Sequence, residues 1–127
     1  MARDRERRLL RRGSIPLFLH GLLEYGVGVL LIASSSLFYD ENTATAVSIL
    51  LGAAVLAITA LSDMPTALLR RIPMSAHIFL DFAIGVLIVV SPFVFAFSDE
   101  AEAVASFLVI GLGYLFMTAL TRFGSRE

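Results

Sequence analysis

Two pairs of ionisable residues sit inside long apolar runs of this chain. His20 and Glu24 open the stretch HGLLEYGVGVLLIASSS, and His77 and Asp81 open HIFLDFAIGVLIVVSPF. A spacing of four puts each pair on one helix face, near enough to touch. An imidazole beside a carboxylate can share a proton near neutral pH, and the same groups suit Zn, Mn or Fe. Three roles compete. The pairs can act as polar glue that sets helix register, which is how polar side chains commonly serve between helices in lipid. They can line a proton or ion path, since ionisable groups within a span face a partner or a watery cavity. As metal ligands they are weaker on spacing, because the Glu-x-x-His of di-metal bundles is separated by three positions. The sequence alone therefore leads us to expect glue, with no metal and no cofactor.

No further catalytic chemistry is visible. The chain has no Cys, which excludes disulfides, thiolate nucleophiles and Cys-ligated metals. Nothing resembles a phosphate loop, a nucleophile elbow or a metalloprotease helix. We expect no enzyme and assign no catalytic residue.

The elements that carry the pairs follow from composition. Of 127 residues, 57% are hydrophobic and only 17% charged, whereas soluble domains carry about 25% charged residues. A helix crossing about 30 Å of hydrocarbon needs roughly 17–25 apolar residues. Four segments qualify: Pro16–Phe38, Ala44–Leu61, His77–Phe97 and Ala103–Leu120. Tyr39 to Thr43 and Ser98 to Glu100 are short acidic turns, so the spans pair as two helical hairpins.

Arginine sets the orientation. All ten basic residues are Arg, a usage that hints at a GC-rich prokaryotic genome. Six precede the first span, Arg70 and Arg71 lie between the second and third, and Arg122 and Arg126 follow the fourth. Neither acidic turn holds any. The positive-inside rule then places both termini in the cytoplasm, in a multi-pass protein of a prokaryotic inner membrane. A cleaved signal peptide is the competing reading of the basic start and of Ala33-Ser34-Ser35. Glu24 interrupts its apolar core, and cleavage would destroy half of the repeat described next.

The chain repeats itself. Leu9-Leu10-Arg11-Arg12 with Ile15-Pro16 matches Leu68-Leu69-Arg70-Arg71 with Ile72-Pro73. His20, Leu23, Gly28, Val29, Leu30 and Ser34 match His77, Leu80, Gly85, Val86, Leu87 and Ser91, while Glu24 faces Asp81 and Tyr25 faces Phe82. Beyond the turn, Gly52, Leu56 and Thr59-Ala60-Leu61 match Gly111, Leu115 and Thr118-Ala119-Leu120. Two spans per unit insert both copies the same way up, with a pseudo-symmetry axis along the membrane normal. The fold expected is all-α: four transmembrane helices as two tandem parallel hairpin repeats. A basic tail (1–14) leads into the first repeat (15–62), a linker (63–76), the second repeat (77–121) and a short tail (122–127). On this geometry the two His–acid pairs lie at equal depth near the cytoplasmic end and can converge.

On these residues the chain resembles the SPW-repeat membrane proteins, whose unit is a two-helix hairpin with Ser-Pro-Trp in its first helix. Ser91-Pro92-Phe93 occupies the motif position with Phe for Trp, and Ser34-Ser35-Ser36 is a more decayed copy. The resemblance covers about residues 15–121 and implies a fold and a membrane address, with no activity attached. A weaker similarity is to HdeD-like acid-resistance membrane proteins, built from Gly-containing helical hairpins.

Other residues have structural readings. Gly28, Gly52, Gly85 and Gly111, with Gly26, Gly113 and Ala53, Ala54 and Ala57, offer small surfaces for close helix approach in lipid. Pro92 should kink or end the third helix, with Ser34 and Ser91 bonding back one turn. Arg11, Arg12, Arg70 and Arg71 suit anionic headgroups, at about 1 kcal/mol per basic residue near the surface. The short tail lacks the aromatic interleaving of a nucleic-acid binder. The function expected is a non-enzymatic structural or regulatory membrane protein, as a homo-oligomer or part of a larger complex in lipid. The alternative is a small proton- or ion-linked transporter using His20, Glu24, His77 and Asp81.

Overall fold

A computed structural model describes residues 14–37, 40 and 42–123. Arg11, Arg12 and the rest of the basic tail lie outside the described residues, as do Phe38, Tyr39 and Glu41 of the first turn. Four α-helices are found among the described residues: α1 (Leu17–Leu37), α2 (Asn42–Leu61), α3 (Met74–Val94) and α4 (Ala101–Leu120). Each is long and apolar enough to cross a membrane. At 1.5 Å per residue, 20 or 21 residues span about 30 Å, and a helix satisfies its own backbone polar groups where water is absent. The boundaries differ from the hydropathy limits by a few residues. Helix α2 starts earlier, at Asn42, and α3 starts and ends three residues earlier, at Met74 and Val94.

The side chains are distributed in reverse of a soluble bundle. On α1 the buried stripe includes His20, Gly21, Glu24, Gly28 and Ser34, while Phe18, Leu22, Val29 and Leu30 face outward. Hydrocarbon outside leaves no drive to hide Leu, so small and polar groups take the interior, where packing and hydrogen bonds decide the contacts.

Each helix packs chiefly on its hairpin partner, α1 on α2 and α3 on α4, with slimmer α1–α4 and α2–α3 contacts. Glycines permit the intimate contacts. A Cβ on Gly52 would come 2.7 Å from the Gly28 carbonyl oxygen, and one on Gly28 would come 2.6 Å from Leu56. In the second hairpin a Cβ on Gly85 would strike Leu115 at 2.4 Å, and one on Gly111 would strike Val89 at 2.7 Å. Gly26 and Gly113 meet nothing within 4 Å, and Ala53 and Ala57 are exposed. These four do not serve the expected close packing: they lie on outward faces of α1, α2 and α4, away from the stripe.

Pro92 lies inside α3, three residues from its C-cap, Phe95. The helix stops through a Schellman-type turn. The Phe97 N–H reaches the Pro92 carbonyl at 2.9 Å, and Ala96 takes the left-handed conformation, φ 60°. Phe97 is then buried edge-on to Phe107, ring centres 5.1 Å apart. Ser91 and Ser34 donate to the carbonyls of Leu87 (2.5 Å) and Leu30 (2.6 Å), one turn back. Pro92 thus ends the helix together with its turn.

At the opposite end of the bundle, two short parallel pairings hold the chain. Strand β1 (Ile15–Pro16) pairs with β2 (Thr121–Arg122) in the register Ile15 to Thr121, and Ser62 bridges Ile72. Residues 63–73 fold back over α2, with the Leu68 and Leu69 N–H groups on the Ala60 carbonyl and those of Arg71 and Ile72 on the Leu61 carbonyl. Tyr25 of α1 donates to the Thr66 carbonyl at 2.9 Å, strapping this segment down. Arg70 and Arg71 are exposed there, Arg70 only 3.8 Å from Asp63 in a half-solvated pair.

Gly52→Val should force the α1–α2 hairpin apart, lowering stability by about 1–3 kcal/mol, the usual cost of overpacking. Gly26→Ala should be neutral or stabilising by up to about 1 kcal/mol through helix propensity. Thermal unfolding of both variants in detergent checks the pair, and equal losses would contradict the assignment.

Candidate functional site

Four side chains meet between the hairpins: His20 and Glu24 from α1, His77 and Asp81 from α3. All are fully buried. Each histidine is the fourth residue of its helix and each carboxylate the eighth, so equal helix starts bring them to one level. His20 Nε2 lies 3.0 Å from Glu24 Oε1 and 2.9 Å from Asp81 Oδ2. His77 Nε2 lies 2.9 Å from Asp81 Oδ2 and 3.2 Å from Glu24 Oε1. Each ring therefore faces both carboxylates, its own and the one across the bundle. The rings stand edge-on, centres 5.8 Å apart.

Hydroxyl groups complete the cluster. Thr121 Oγ1 lies 2.7 Å from His20 Nδ1 and donates to the Met117 carbonyl. Ser62 Oγ lies 2.6 Å from His77 Nδ1 and donates to the Ile58 carbonyl. Tyr114 of α4 places its hydroxyl 2.9 Å from Glu24 Oε1 and 2.8 Å from Asp81 Oδ1, directly between the two acids. The Thr59 hydroxyl reaches Glu24 Oε2 at 2.9 Å and the Val55 carbonyl at 2.7 Å. Its sequence counterpart, Thr118, is buried with no partner for Oγ1. Asp is one methylene shorter than Glu, which accounts for the unfilled reach on that side.

Sequence reasoning singled out the four ionisable residues and missed these hydroxyls. Thr59 and Thr118 already stood in the repeat alignment, and Ser62 and Thr121 are the next matched positions, so a shared hydroxyl was there to be read. Tyr114 aligns with Val55 and carried no such signal. Its hydroxyl stands between the two carboxylates, where the matched position offers only an apolar side chain.

The cluster is closed at both ends. Below His20 lie Leu17, Met64 and Phe123, all buried, with the Phe123 ring centre 5.1 Å from that of His20. Above it lie Tyr114 and the apolar core around Leu31, Ile84 and Ile88. The other residues singled out from sequence lie elsewhere. Ser34, Ser91 and Pro92 are buried toward the far end and Phe93 is exposed there, while the four packing glycines sit at the α1–α2 and α3–α4 contacts. The expectation of no metal rested on spacing within one helix. The set formed here draws one His and one carboxylate from each of two helices, and their ligand atoms lie within 4.8 Å of one another.

Four apolar helices of spanning length around a buried polar centre define a small multi-pass α-helical membrane protein. The family model for the SPW repeat domain matches residues 18–121, and the chain belongs to that family. No curated protein and no solved structure matches. The weaker resemblance to HdeD-like proteins has no counterpart among these findings.

Tyr114→Phe should destabilise the protein by about 1–2 kcal/mol, since it removes a buried hydroxyl that reaches both carboxylates. Thr118→Val, which deletes an unpartnered buried hydroxyl, should be neutral or stabilising, whereas Thr59→Val should lower stability. Thermal or denaturant unfolding of the three variants in detergent provides the comparison.

Proposed function

We propose that this protein is a non-enzymatic membrane component, structural or regulatory, whose buried His–carboxylate cluster is the joint between its two hairpins. One observation carries the reading: four fully buried ionisable groups from α1 and α3 contact one another across the line where the helices otherwise touch least. Placing an ionisable residue in a span costs roughly 2.5–3.5 kcal/mol at the bilayer centre. Pairing within each helix offsets part of that cost, and the contacts across the bundle offset the rest only when the hairpins are correctly docked, so the cluster favours one arrangement. The seal of Leu17, Met64 and Phe123 under it supports a fixed joint over an open path.

The finer architecture follows the same logic. The chain is two tandem parallel hairpin repeats with both termini cytoplasmic, in a prokaryotic inner membrane. Matched positions with like partners support the repeat: His20 bonds Thr121 and His77 bonds Ser62, while Ile15 pairs with Thr121 and Ile72 with Ser62. The arginine distribution supports the orientation. Outward Phe and Leu surfaces on all four helices contact lipid, and offer area for self-association or for seating in a larger membrane complex.

His20→Gln and Asp81→Asn should each cost about 3–5 kcal/mol, the usual loss when one partner of a buried pair is removed. The double variant should lose less than the sum, with a coupling of about 0.5–3 kcal/mol. In proteoliposomes the parent protein should pass neither protons nor alkali cations. Additive losses together with a flux abolished by Glu24→Gln would replace the joint with the transporter reading.

Single cysteines at Asn42 and Ser98 should react with membrane-impermeant maleimide from outside intact cells. Labelling only after permeabilisation would invert the topology.

A further inference from the structure

Both histidines are held in one tautomer by the same device. Ser62 and Thr121 give their only hydroxyl proton to the Ile58 and Met117 carbonyls, so each oxygen can only accept from the adjacent Nδ1–H. In the neutral ring that leaves Nε2 as the coordinating position, and both Nε2 atoms lie within 3.2 Å of the two carboxylates. Metal-binding histidines are oriented this way, by a hydrogen bond from the other ring nitrogen.

The two rings then differ: His20 Nε2 is in hydrogen-bond geometry with both Glu24 and Asp81, while His77 Nε2 is left without a partner. His77 Nε2 is fully buried and close to two carboxylate oxygens, yet neither lies along its N–H direction. A bare lone pair there would face anionic oxygen, so something positive must sit between them. Four nitrogen–oxygen separations of 2.9, 2.9, 3.0 and 3.2 Å enclose the point. A tetrahedral ion with bonds of about 2.0–2.1 Å has ligand–ligand edges of roughly 3.3 Å. Small outward shifts of these four pairs, with closure of the remaining separations, which lie within 4.8 Å, would bring the atoms around one.

We propose that the cluster binds one divalent first-row transition cation, with zinc(II) the best fit, through Nε2 of His20 and His77 and one oxygen each of Glu24 and Asp81. Two carboxylates cancel the charge of the ion, so the loaded site is neutral, as a hydrocarbon setting demands. Two imidazoles with two carboxylates select against calcium and magnesium, which take six or more oxygen ligands. Ser62 and Thr121 orient the rings, while Tyr114 and Thr59 hold the carboxylates. Entry requires Phe123 or Met64 to swing aside at the α1 and α3 starts. This proposal goes beyond the joint reading, because the hairpins can be locked with or without an ion.

The test uses the full-length protein purified in detergent, stripped with chelator and titrated with zinc chloride alone. One equivalent should remain after desalting and raise the melting temperature, magnesium should do neither, and cobalt(II) should give the intense visible bands of tetrahedral coordination. His77→Gln should lose the bound equivalent. Ser62→Ala and Thr121→Val, which keep all four ligands, should bind about 10–100-fold more weakly, as loss of an orienting partner does. The proposal is overturned if the parent retains no zinc, if binding is unchanged in His77→Gln and Ser62→Ala, or if cobalt gives only the pale octahedral spectrum. Should a variant fail to fold, retention and the cobalt spectrum of the parent decide the question. The unfolding cycle between His20 and Asp81 on metal-free protein judges the joint separately.

Discussion

Two imidazoles and two carboxylates, shut away from water, must satisfy one another's charge, and the rest of this structure is arranged so that they can. In hydrocarbon an unpaired ionised group is intolerable. The four groups therefore favour one assembly: His20 and Glu24 pair within α1, and gain their partners across the bundle only when α1 stands beside α3 with its first turns level. The short parallel pairings of Ile15 with Thr121 and of Ile72 with Ser62 set that level from outside the membrane core. They also deliver the two hydroxyls that fix the rings.

Packing and polarity divide the work. Within each hairpin the contact is broad and close, Gly28 against Gly52 and Gly85 against Leu115, because van der Waals fit is what holds helices together in lipid. Between hairpins the contact is narrower, and its specificity comes from hydrogen bonds with long reach and strict direction. A centre built this way is rigid in register yet chemically rich. The proposed joint and the proposed metal site share this geometry, and differ only in whether protons or a metal ion hold the positive charge.

Like partners with two departures from the match characterise the centre. Matched residues bring matched donors, His20 with Thr121 and His77 with Ser62. Glu against Asp shifts one carboxylate by a methylene, and Tyr114 opposite Val55 inserts a donor that reaches both acids. The cost of the asymmetry shows at Thr118, whose hydroxyl has nothing to bind.

Four spans, their pairing into hairpins, and the candidate residues His20, Glu24, His77 and Asp81 were all legible in the sequence, because length, hydropathy and a spacing of four act locally along one helix. Outward Gly26 and Gly113 show the limit of that reasoning. A small residue in a span is the same letter whether it meets a neighbour or lipid, and only the direction of its face separates the two. Tyr114 lay beyond reach for a related reason, since its partners are 33 or more positions away on other helices. By itself, the sequence determined what had to be buried in pairs. The tertiary structure decided which atoms meet, because interhelical distance and rotation belong to no single segment of the chain.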